Sequence, residues 1–180
     1  MNRQRPHRTL LVVFAMIAAP AALAQTAGET PAACPADAKP ALPAALAGWA
    51  TPAPLAAAAD PAGLARAALV PGKAATVTLL PTRSVHYPLQ PEKPGGSVSH
   101  GGLLAFTITR AGSYRVALGS GAWIDVVRDG KALVSTAHGH GPACSTIRKM
   151  VDFSLEPGDY VLQVSANAAA ELPVLIAPLP

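Results

Sequence analysis

The run His138-Gly-His140-Gly-Pro-Ala-Cys144 holds the residue types in this chain most capable of chemistry. It carries two of the five histidines and one of the two cysteines. Residues i and i+2 of a strand share a face, so a strand here would present both imidazoles together. Neutral imidazoles suit zinc or copper, and a third from His86 or His100 would leave a fourth coordination position open for reaction. The opposing reading is a glycine-flanked loop whose histidines sit at the surface or bond locally. Cys144 also has two readings: a thiolate, or half of a bridge to Cys34. In an oxidising compartment the bridge is the expected outcome. Closing so long a loop is worth roughly 4–5 kcal/mol in the chain-entropy model.

Other segments offer weaker chemistry. Ser145 lacks the Gly-x-Ser-x-Gly elbow of a hydrolase. Pro91-Glu-Lys-Pro-Gly-Gly-Ser97 is a flexible loop without the lysine spacing of a phosphate loop. Cys144 and Met150 stand in blue-copper order, but no histidine lies between them. Asp129, Glu156 and Asp159 flank turns, where carboxylates cap and solvate. Asp125 and Asp152 interrupt apolar strand patterns, so they point outward or pair with Arg148 or Lys149. Trp123 and Tyr87 are candidate ligand-binding aromatics for stacking on a sugar or peptide. With aromatics at 4% of the chain, most are needed for the core.

Arg3, Arg5 and Arg8, the apolar run from Leu10 to Ala19, and Ala22-Leu23-Ala24 read as a secretory signal peptide over residues 1–24. The apolar run is short for a bilayer, so no membrane span is expected after cleavage and the chain is expected to be periplasmic or secreted. The full chain has 14 basic and 10 acidic residues; losing three arginines with the leader leaves 11 against 10. That near-neutral balance, with no basic stripe interleaved with aromatics, gives no support for nucleic-acid binding.

Those candidate residues need elements to position them. Twelve prolines fall between residues 25 and 94 and only two between 95 and 170. The reading is a Pro/Ala-rich arm over 25–72, with short helical turns near Pro43–Ala47 and Pro61–Ala68, and a β domain over 73–180. Trp49 is the expected pin between them. Apolar alternation marks strands at 75–80, 103–109, 114–118, 122–127, 131–135, 150–155, 160–165 and 172–176. Asp129-Gly130 is a hairpin signal, Glu156-Pro-Gly-Asp159 a turn, and Pro173 favours an edge strand. About eight short strands with little helix predict an all-β, antiparallel sandwich or jelly roll. Phe106-x-Ile108 before Gly112-x-Tyr114 is echoed by Phe153-x-Leu155 before Gly158-x-Tyr160, as two hairpins of similar build would produce.

The runs Ala105–Ile108, Gly112–Tyr114, Ile124–Gly130 and Val151–Tyr160 resemble bacterial pre-peptidase C-terminal-type domains. That resemblance covers roughly Leu103 to Ile176 and implies a secreted β-sandwich that aids binding or secretion. Most of the mature chain also resembles short exported bacterial proteins labelled homogentisate 1,2-dioxygenase, which implies iron held in a cupin by two histidines and a glutamate. His138-x-His140 is similar to the start of that motif, and Pro157-Gly158-Asp159 to a cupin turn. Gly141-Pro-Ala-Cys144 stands where the glutamate belongs, and no histidine follows His140. The implied ligand set therefore stops at His138 and His140.

The residues together favour an exported, non-catalytic binding or accessory module for a protein, peptide or glycan partner, with no cofactor needed. The alternative is a small cupin-like, dioxygenase-type enzyme holding zinc, copper or iron at His138 and His140.

Overall fold

A computed structural model describes residues 34–35 and 40–180. The expected signal peptide, 1–24, lies outside the described residues. Strands form wherever the alternation was strongest, and eleven are present: β1 (Ala53–Ala56), β2 (Ala75–Thr78), β3 (Leu80–Pro81), β4 (His100–Ile108), β5 (Gly112–Leu118), β6 (Trp123–Arg128), β7 (Lys131–Ala132), β8 (Ala137–Gly139), β9 (Lys149–Leu155), β10 (Gly158–Asn167) and β11 (Glu171–Pro178). All eight expected positions carry strand, but the expected 75–80 strand is divided between β2 and β3, which join different sheets, and the expected 131–135 strand stops at Ala132; β1 and β8 are additional and have at most four residues each.

The strands build two stacked sheets, ordered β1-β2-β11-β5-β9-β8 and β3-β4-β10-β6-β7. All neighbours are antiparallel except β1 and β2. Alternate residues from each strand fill the space between the sheets: Leu104, Phe106 and Ile108 from β4, Val116 and Leu118 from β5, Ile124 and Val126 from β6, and Leu172, Val174 and Ile176 from β11. Burying a side chain of this size contributes roughly 1.5–3 kcal/mol.

The echoed motif has a structural origin, although the two copies are not hairpins. β4 and β5 lie in opposite sheets, as do β9 and β10, so each copy is an arch that crosses the core. The arches interlock: Phe106 pairs with Tyr160, and Tyr114 with Phe153. Each tyrosine hydroxyl donates to the carbonyl four residues upstream, Tyr114 to Arg110 at 2.9 Å and Tyr160 to Glu156 at 2.7 Å. Both are tyrosine corners, which fix the angle at which the chain leaves one sheet for the other. The Asp129-Gly130 hairpin is present between β6 and β7, with both φ angles positive at 50° and 71°, as a two-residue I′ turn requires.

Pro173 departs from expectation, because β11 is an interior strand. The Pro173 carbonyl accepts from Gly119, one residue beyond the end of β5, so its missing N–H falls past the ladder and little pairing is lost. The proline-rich segment is woven into the body. Its helical turns are 3-10 helices at Ala44–Ala50 and Pro61–Arg66. β1 extends the six-stranded sheet, and Ala58 and Ala68 bridge to Leu103 and Ala105 of β4.

Candidate ligand-binding cleft

The His138–Cys144 run divides at its middle, and its two halves serve different parts of the molecule. The C-terminal half is a clamp. Cys144 is bonded to Cys34, with Cα atoms 5.4 Å apart. The Ser145 amide donates to the Pro142 carbonyl, closing a tight turn in which Cys144 takes a positive φ of 59°. A non-glycine residue in that region is strained, and the bridge holds it there. Gly141 backs directly onto Ile147, leaving no room for a Cβ. Ile147 is buried on the outer face of the six-stranded sheet with Leu46, Trp49, Ala117 and Leu175. The Trp49 indole N–H donates to Thr146 Oγ1 at 2.8 Å. Trp49 thus pins its segment as the sequence predicts.

The N-terminal half borders a cleft. β8 pairs with β9 so that His138 lies opposite Val151 and shares its inward face. The cleft, of about 540 Å³, opens between this edge and β6; its lining includes His138, Trp123, Ile124, Asp125, Leu133, Lys149, Val151 and Phe153. Leu133, Ile124, Val151 and Phe153 make it apolar within. Trp123 and Lys149 supply the aromatic and cationic wall.

The electrostatics centre on Trp123. Its indole N–H donates to Asp125 Oδ1 at 3.1 Å, and the Gln163 amide donates to Asp125 Oδ2 at 3.4 Å. Lys93 and Lys149 place their ammonium groups 4.9 and 5.4 Å from the ring centroid, in cation–π range. Lys149 also donates to the Ala122 carbonyl at 2.8 Å. Its pKa is lowered by burial and then by Lys93, with Asp125 opposing. Neither lysine forms an ion pair among the described residues.

A second set of polar groups holds the 85–95 segment over the outer face of the five-stranded sheet. The buried Gln163 side chain accepts from the Leu89 amide at 3.0 Å and donates to the Leu89 carbonyl at 3.2 Å. Ser165 donates to the Lys93 carbonyl at 2.8 Å. Tyr87 does not line the cleft. Its hydroxyl donates to the Val164 carbonyl at 2.9 Å, and burial pushes its pKa up to about 12.

The four histidines considered as ligands are not brought together as a site. His140 Nδ1 lies 3.1 Å from the Arg148 carbonyl, to which an Nδ1–H donates. His100 is in β4 and His86 follows β3, on the opposite flank of the five-stranded sheet from β7. Among the described residues, no group of three or more His, Cys, Asp or Glu side chains is placed to hold a metal. Asp152 is on the outward face, opposite its core neighbours Val151 and Phe153, and its carboxylate takes two 2.7 Å bonds from Arg115, directly across the ladder, where the pairing alternative named Arg148 or Lys149.

The sequence singles out Trp123 as a stacking aromatic and His138 as a metal ligand, and the fold places both at the cleft. It does not single out as site residues Lys93, Lys149 or Gln163, which the fold gathers around Trp123 and Asp125. Gln163 left a signal, since a glutamine inside Tyr160-Val-Leu-Gln-Val164 needs a buried partner. The lysines left none, because only the fold brings them to one ring.

A scan against protein-family models and a search of curated proteins find no match for the chain.

Proposed function

We propose that the chain is an exported binding or accessory module whose ligand occupies the Trp123 cleft. The observation that carries this reading is the convergence, in about 540 Å³, of the Trp123 wall, an apolar interior and the charged groups Lys149, Asp125 and Glu92, with Lys149 in no ion pair among the described residues. That volume lies in the usual range for small-ligand and peptide-anchor sites, where a few polar groups orient what the apolar surface holds. The Cys34–Cys144 bridge supports export, because such bridges persist in oxidising compartments. No helix among the described residues is long and apolar enough to cross a membrane. The resemblance to pre-peptidase C-terminal-type sandwiches points the same way.

A fluorescence titration tests the reading. The chain has two tryptophans, so Trp49→Phe leaves Trp123 as the sole indole reporter. Short peptides and soluble oligosaccharides are titrated into that protein. A saturable change in Trp123 emission with one of them is expected. A flat response to both classes would contradict the proposal. So would stoichiometric zinc, copper or iron in the purified protein that is lost in His138→Ala/His140→Ala, since that result favours the cupin-like metal enzyme.

A further inference from the structure

The cleft contains an unfinished sheet edge. β7 pairs with β6 only at Val127 and Arg128. One further bond, from the Leu133 amide to the Val126 carbonyl at 2.8 Å, ends the contact. In an antiparallel ladder the peptide groups of alternate residues face alternate sides. The Ile124 N–H and C=O therefore point the same way as the Val126 carbonyl, away from β10 and into the cleft. No β7 residue reaches Ile124, and no side chain among the described residues bonds to its backbone. Unpaired groups on an open edge are a template for another extended chain.

Three features select the occupant. A donor and an acceptor from one residue of an edge strand match an extended peptide backbone, which returns both bonds. The Trp123 ring already carries two ammonium groups, which disfavours it as an open platform for a sugar. Those ammonium groups repel each other, and although Glu92 and Asp125 also line the cleft, neither carboxylate forms an ion pair with Lys93 or Lys149 among the described residues. The gap between the two unpaired ammonium groups at the Trp123 ring, and not the cleft as a whole, thus favours a carboxylate. The lysines stand at the Trp123 end, whereas Leu133 occupies the edge at the other.

We infer that the open edge of β6 takes an extended peptide segment as an added strand, with an acidic side chain of that segment between Lys93 and Lys149. This rests on the cleft being the binding site and names what it binds. The step is non-covalent, with apolar side chains of the segment lying against Ile124, Val151 and Phe153.

The test uses the protein with its disulfide intact and four probes: a capped peptide of alternating valine and glutamate, its valine–lysine counterpart, the glutamate peptide with alternate amides N-methylated, and cellohexaose. Binding is read from Trp123 emission in the Trp49→Phe protein. The glutamate peptide is expected to bind, and N-methylation to weaken it about five- to tenfold by removing a backbone bond while retaining the side chains. The lysine peptide is expected to be weaker by about tenfold or more, and Lys93→Ala/Lys149→Ala to remove the preference between the two. Equal binding of the N-methylated and parent peptides would overturn strand addition. Equal binding of the glutamate and lysine peptides would overturn the acidic partner. Binding of cellohexaose alone would overturn the inference while leaving a binding cleft in place, and silence from every probe would remove both. Concentration-dependent dimers that form in the absence of peptide and are lost in Trp123→Ala would assign the edge to a second copy of this chain and overturn the peptide.

Discussion

The two outer faces of this sandwich are covered in opposite ways. Over the six-stranded sheet the 42–50 segment is held by apolar contact and a covalent bond: Leu46 and Trp49 lie on Leu175 and Ala177, with Cys34 bridged to Cys144. Over the five-stranded sheet the 85–95 segment is held by hydrogen bonds from Gln163, Ser165 and Tyr87. Apolar cover resists displacement and offers little chemistry. Polar cover leaves its last residues, Lys93 among them, beside Trp123 and an open strand edge. Fixed and receptive surfaces are thereby separated, and the His138–Cys144 run contributes to each.

Four changes test that contrast, from the largest effect to the smallest. Removing the bridge with Cys34→Ser/Cys144→Ser is expected to cost up to about 4–5 kcal/mol and to lower Tm by about 10 °C or more in a thermal melt. Ligand response at Trp123 should survive at temperatures where the protein stays folded; its loss there would break the separation of the two faces. Leu46→Ala, at a position only 1% exposed, should cost about 3 kcal/mol in a denaturant melt and again leave the cleft intact. Gln163→Leu keeps the volume but strips the Leu89 amide and carbonyl of their partners, a loss of about 1–3 kcal/mol. Unlike the first two, it should alter Trp123 emission, because Asp125 loses a donor as well.

The fourth change concerns pH. Tyr87 titrates near 10 when unfolded and near 12 in the fold. Its neutral form is the one the fold favours, so its contribution is full below pH 10 and is lost as pH rises toward 12. Tyr87→Phe should therefore flatten part of the stability decline over that window in denaturant melts. An unchanged slope would show that Tyr87 is not held as described.

The sandwich was legible because burial on one face imposes period-two alternation, and β4, β5, β9 and β10, each seven residues or longer, have room to display it. The Asp129-Gly130 turn was legible for an equally local reason, and the bridge because the chain has only two cysteines to pair. β1 and β8 were not: Ala53–Ala56 and Ala137–Gly139 have no apolar alternation and exist because a neighbour presents an edge. The described part of the expected arm, 40–72, lies against the sheets because short alanine-rich stretches pack closely on them, as Ala58 and Ala67 do. Within the cleft, Trp123 and His138 could be singled out by type. Lys149, Lys93 and the open side of Ile124 depend on register and on where β7 stops, which no short window of sequence specifies.

Amide hydrogen exchange, resolved by NMR along β6, tests the central claim most directly. Trp123 and Asp125 amides, bonded to β10, should exchange slowly in the free protein, while the Ile124 amide between them exchanges fast and slows when the glutamate peptide binds. An Ile124 amide as protected as its neighbours without ligand, or unchanged with it, would contradict the account.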